Sequence, residues 1–132
     1  MEKRKILIAE DDADDQQFLH DFLKARADII LLPIATNGVE LLHCLEQIQE
    51  PAAFPDVIIL DQNMPKKNGL QTLQHLKDDR RYAHIPVIIY STYTDDQLIK
   101  NGEKYGACLV VPKPVSKEGY DLMITTVFDN CI

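Results

Sequence analysis

The chain has 132 residues, enough for one domain and too few for two. Apolar residues make up 45% and charged residues 27%, a balance that excludes intrinsic disorder, collagen-like repeats and coiled coil. With 14 Lys and Arg against 21 Asp and Glu, the net charge is −7, which argues against direct binding to a phosphate backbone.

The first apolar run, Ile6–Ala9, predicts a buried strand, and Asp12 a cap for a helix carrying Phe18, Leu19, Phe22 and Leu23. Ile29–Ala35 predicts a second strand with Pro33 inside it. Asn37 and Glu40 then cap a helix with Leu41, Leu42, Leu45 and Ile48 on one face. Val57–Leu60 reads as the third strand. Asn68 and Gln71 open the third helix, whose apolar face is Leu70, Leu73 and Leu76. Val87–Tyr90 is the fourth strand. Thr94 and Gln97 predict the cap of a weaker helix over Asp95–Tyr105, with only Leu98, Ile99 and Tyr105 for a core. Leu109–Val111, closed by Pro112, is the fifth strand. Ser116 caps a last helix with Tyr120, Ile124, Val127 and Phe128 on one face.

Five strand–helix repeats predict an α/β fold with a parallel sheet between two helical layers. Proline cannot donate to a sheet ladder, so Pro33 and Pro112 put strands two and five at the edges. That fits the flavodoxin-like order 2-1-3-4-5 in a single domain spanning residues 1–132. The apolar runs are too short for a membrane span, and Ile6–Ala9 is too short for the core of a signal peptide. Cys44, Cys108 and Cys131 have no metal-site spacing. With no export signal, they are expected to be reduced thiols in a cytoplasmic protein.

In such a sheet, ligands bind beyond the carboxyl ends of the strands, where the strand order reverses. Strand one ends in Glu10, Asp11 and Asp12, and strand three in Asp61, followed by Gln62, Asn63, Met64 and Pro65. Strand four ends in Ser91 and Thr92, and strand five leads to Lys113 and Pro114. Converging carboxylates repel one another and call for a cation. An all-oxygen donor set suits Mg²⁺, Mn²⁺ or Ca²⁺ over zinc. A lysine and a hydroxyl beside such a metal fit phosphoryl transfer, with a carboxylate as nucleophile.

Four pieces carry a resemblance: ILIAED ending at Asp11, IILDQNMP around Asp61, PVIIYST ending at Thr92, and Lys113 followed by Pro114. Together, from about Lys5 to the last helix, the chain resembles the receiver domain of two-component response regulators. It looks most like the small stand-alone receivers paired with phytochrome-type kinases. The resemblance implies that Asp61 is the phosphoacceptor. Asp11 would ligate Mg²⁺ (or Mn²⁺) directly, Glu10 largely through water, and Asn63 through its backbone carbonyl. Ser91 and Lys113 would each contact a phosphoryl oxygen, and the Thr92 amide would offer a further donor. It also implies a cis bond between Lys113 and Pro114.

Asp12 is expected as a helix cap, and Asp14 and Asp15 as a merely acidic helix start. None of His20, His43, His75 and His84 reads as catalytic. One departure stands out. Many receivers carry Tyr or Phe three residues before the lysine, where this chain has Val110. The aromatic switch is therefore missing, or rebuilt from Tyr90 or Tyr93. Tyr93, two past Ser91, also stands where a water-orienting group often sits, which implies slow loss of the phosphoryl group.

The resulting expectation is a phosphoryl-accepting signalling switch rather than a metabolic enzyme, though one that assists its own phosphorylation and dephosphorylation. Its donor would be a histidine kinase or histidine phosphotransfer protein, and its output a changed affinity for a downstream protein. Nucleic acid and membrane are not expected partners, and a homodimer is left open. An alternative is a receiver-like interaction module independent of phosphorylation. A small aspartate-nucleophile phosphatase and a flavin-binding domain fit less well.

Overall fold

The computed structural model describes residues 3–132. Five strands, β1 (Arg4–Ala9), β2 (Ile29–Leu31), β3 (Val57–Asp61), β4 (Val87–Ser91) and β5 (Leu109–Pro112), alternate with five helices. These are α1 (Ala13–Leu23), α2 (Gly38–Glu46), α3 (Gly69–Asp78), α4 (Asp96–Tyr105) and α5 (Lys117–Cys131), with a short 3₁₀ turn over Pro51–Ala53. All strand pairs are parallel and the sheet order is β2-β1-β3-β4-β5, as expected.

Alternation along the strands divides the core in two. Leu7, Ala9, Ile58, Leu60, Val87 and Ile89 face the layer of α2, α3 and α4, packing on Leu41, Leu45, Leu73, Leu76 and Leu98. Ile6, Ile8, Val57, Ile59, Ile88 and Tyr90 face α1 and α5, packing on Leu19, Leu23, Tyr120, Met123, Ile124 and Val127. Strands β3 and β4 are buried along their whole length, which is why their sequences read as unbroken apolar runs.

The prolines act where expected, with two refinements. β2 is shorter than its apolar run and stops at Leu31; the extended segment continues through Pro33, and Ala35 N–H then donates to Ile8 O at 2.9 Å. Pro112, the last residue of β5, pairs across from Ser91 but has no amide to give it. The ladder does not need one there, because Ser91 O accepts from the next residue, Lys113 N–H, at 2.8 Å. Asp12, Asn37, Asn68 and Ser116 each cap their helix, Asn68 within a full capping box with Gln71. The cap of α4 differs: Asp95, not Thr94, accepts the Leu98 amide at 2.8 Å, so the helix starts one residue later than predicted.

The cysteines also differ. Cys108 and Cys131 form a disulfide where reduced thiols were expected, and Cys44 is free. Nothing in their spacing marks the pair. The fold brings the turn before β5 against the last turn of α5, and their Cα atoms lie 6.2 Å apart, within disulfide reach. No helix among the described residues is long and apolar enough to cross a membrane.

Candidate phosphoryl-transfer site

The site forms at the carboxyl ends of β1, β3, β4 and β5. Glu10, Asp11 and Asp61 each bring one carboxylate oxygen within 4.8 Å of the others. Glu10 and Asp61 are buried, whereas Asp11 is exposed at the rim. Burial first, and then the Glu10 charge, push the Asp61 carboxyl up to about 8. A hard divalent cation would relieve that repulsion, and the all-oxygen donor set fits one.

Lys113 enters from beyond β5. Its Nζ lies 2.9 Å from Glu10 Oε1, 2.9 Å from Asp15 Oδ2 and 3.5 Å from Asp61 Oδ2. Burial lowers the lysine's proton affinity, but bonds to Asp15 and Glu10 outweigh it and hold the ammonium charged. The Lys113–Pro114 bond is trans, contrary to the cis form the resemblance implied. Trans is the ordinary preference of X–Pro bonds. The Lys113 amide on Ser91 O already anchors this loop.

Glu10 is fully buried, with every carboxylate oxygen engaged. Oε1 accepts from Tyr90 Oη at 2.6 Å as well as from Lys113, and Oε2 accepts from the Asp12 amide at 3.0 Å. The Asn63 amide faces Asp61 Oδ1 at 3.4 Å. Ser91 is buried, and its Oγ accepts from the Tyr93 amide at 3.3 Å. Thr92 is exposed just past β4. Ser91, Asn63, Gln62, Leu70 and Tyr93 line one depression beside Asp61, with the Tyr93 side chain 74% exposed at its rim.

The loop after Asp61 is fixed by its own backbone. Gly69 N–H donates to Gln62 O at 3.2 Å and Leu70 N–H to Gln62 Oε1 at 2.9 Å. A Cβ at Gly69 would stand 2.8 Å from Asp61 O, so only glycine lets α3 start this close to the site.

Two residues gain contacts that the sequence reading did not assign. Asp15, expected to be only part of an acidic helix start, binds Lys113. It stands in the first turn of α1, directly after the acidic end of β1. Tyr90 binds Glu10 from a fully buried position in β4. Val110 lies in the opposite layer, half-buried against the α2–α4 core, so neither Tyr90 nor the exposed Tyr93 fills the place of the missing ring.

A family model described as the response regulator receiver domain matches residues 6–125. The chain belongs to that family. It is 32% identical over 121 residues to a protein-glutamate methylesterase/protein-glutamine glutaminase of Clostridium acetobutylicum, covering 86% of this chain and 32% of that protein. It is also 32% identical over 114 residues to the probable C4-dicarboxylate response regulator DctR of Bacillus subtilis, covering 86% and 47%. The receiver thus spans about a third to about a half of the length of these curated relatives. Among solved structures, the Mn²⁺-bound response regulator Rcp1 shares 24% identity and a TM-score of 0.77, covering 94% of this chain and 91% of that one. The chemotaxis response regulator CheY4 of Vibrio cholerae shares 24% and 0.80, covering 95% and 98%. The receiver is therefore a component of two-component signalling, a family whose members accept phosphoryl groups from histidine kinases and bind a divalent metal in an acidic pocket.

Proposed function

We propose that Asp61 is the residue phosphorylated and that the receiver works as a phosphoryl-accepting switch. The observation that carries this reading is the position of Asp61. It is a buried carboxylate beside Glu10 and Asp11, with one oxygen 3.5 Å from the Lys113 ammonium.

A carboxylate oxygen of Asp61 attacks the phosphorus of a donor phosphohistidine. An O–P bond forms, the N–P bond breaks, and the histidine nitrogen leaves with its electron pair. Asp11 and Asp61, with Glu10 through water and the Asn63 carbonyl, would hold Mg²⁺. When bound, the ion neutralises charge on the phosphoryl oxygens. Lys113 shifts toward one phosphoryl oxygen, the Ser91 hydroxyl donates to a second, and the Thr92 amide stands near as a further donor. The Tyr93 ring at the rim limits water on the open face, which favours a long-lived phosphoryl group.

Phosphorylation changes the protein's affinity for a downstream target rather than turning over a metabolite. The donor is a histidine kinase or a histidine phosphotransfer protein. Because histidine phosphorylation draws on ATP, we place the receiver in the cytoplasm. The charge of −7 supports a role without nucleic acid. The test is labelling by acetyl phosphate. Wild-type protein should incorporate phosphate only with a divalent cation, and Asp61→Asn should incorporate none while melting cooperatively. Wild-type labelling of Asp61→Asn would overturn the assignment.

A further inference from the structure

Glu10 has no solvent to orient it, so its donors decide where its carboxylate points. Lys113 is one of them, but it also binds Asp15 and stands 3.5 Å from Asp61. In the mechanism above it moves toward the phosphoryl group. The Asp12 amide holds the other oxygen, from an exposed residue at the cap of α1.

Tyr90 is different in kind. It sits in β4, which is paired on both sides, by β3 and β5. Its side chain is 0% exposed and packs against the α1–α5 layer, so the ring has nowhere to swing. Its hydroxyl reaches Glu10 Oε1 at 2.6 Å, a short bond to a charged acceptor in a buried place. Lys113 Nζ lies 5.2 Å from the centre of the same ring. Tyr120 makes the comparison. It is equally buried in the same layer, yet its hydroxyl has no hydrogen-bond partner among the described residues.

The geometry points to Tyr90 as a positioning residue for the metal site, its hydroxyl holding the Glu10 carboxylate in the orientation that serves a divalent cation. The inference rests on the reading that Glu10, Asp11 and Asp61 hold such a cation. Groups that orient a metal ligand commonly account for 10–100-fold in affinity. Tyr90→Phe deletes one oxygen and keeps the ring, so the effect sought is an affinity and not a fold.

Mn²⁺ binding to the unphosphorylated full chain, followed by the paramagnetic resonance of free Mn²⁺, provides the test. Tyr90→Phe should weaken binding about 10-fold, and Tyr120→Phe should leave it unchanged. Melting in EDTA is read alongside, because a merely structural role would lower the midpoint of Tyr90→Phe and leave its Mn²⁺ affinity at the wild-type value. That result overturns the inference. In a Glu10→Ala background, Tyr90→Phe should cost no further affinity; an equal loss there would assign the effect to packing and also overturn it. If the wild type itself binds no Mn²⁺, the cation reading of the site falls instead.

Discussion

At the scale of single residues, Asp61 is held against its own chemistry. Burial and the neighbouring Glu10 raise its carboxyl from the usual carboxylate range to about 8. The folded protein therefore keeps a proton that the unfolded chain gives up near pH 4. Stability from this group is fully present below the unfolded value and is lost as pH rises through the folded one. In EDTA, the melting temperature should fall between about pH 5 and about pH 8. Asp61→Asn should flatten that slope and melt higher at pH 8, by roughly 4 °C for about 1 kcal/mol. Thermal melts across the range check both outcomes, and a slope unchanged by Asp61→Asn would locate the pH dependence elsewhere. Which residues would gather here was legible, because Glu10, Asp11, Asp61, Ser91 and Lys113 all stand at or just past strand ends. What they would bond was less so. Tyr90 was legible as a core residue by its alternation with Ile88, but the direction of its hydroxyl depends on where β1 ends, across β3.

At the scale of elements, the helices were readable from their caps and stripes, and the errors were short. Thr94 and Asp95 are both good caps, and the chain uses the acid. The long second run lost its end because regular pairing stops at Leu31, before Pro33, and the chain meets β1 again as an isolated bridge at Ala35. Close approach was not legible at all. Gly69 directly follows the helix cap Asn68, and a Cβ there would meet Asp61 O at 2.8 Å and Gln62 Cα at 3.0 Å. Those atoms are backbone and cannot rotate away. Gly69→Ala gains about 1 kcal/mol in helix propensity at most, whereas overpacking costs typically 1–3 kcal/mol. The clash should win. Urea denaturation should show a lower midpoint for Gly69→Ala, and acetyl-phosphate labelling should fall because the backbone of Asp61 shifts. A midpoint above wild type would show that α3 moves freely.

At the scale of the whole molecule, the sheet order and both helical layers followed from the alternation of strands and helices and from the two prolines. The disulfide did not, since 23 residues separate Cys108 from Cys131 and only the packing of α5 beside β5 joins them. A bridge closing a loop of that length contributes about 3 kcal/mol, chiefly by limiting the unfolded chain. Reduction should lower the melting temperature by on the order of 10 °C, and Cys131→Ser should melt at that lower value with or without reductant. Equal melting of the oxidised and reduced wild type would mean that the bridge adds nothing. The bridge lies at the opposite end of β5 from Lys113, so reduction should leave the contacts of the site in place.

The two sheet edges carry a different consequence. β2 has three residues before the chain runs on to Pro33, and β5 has four, the last of them Pro112. Open edges of regular backbone are where one protein molecule can templately extend another, and short edges broken by proline offer few amides for that growth. Copies of this receiver crowded together are therefore poorly placed to join into a shared, lengthening sheet.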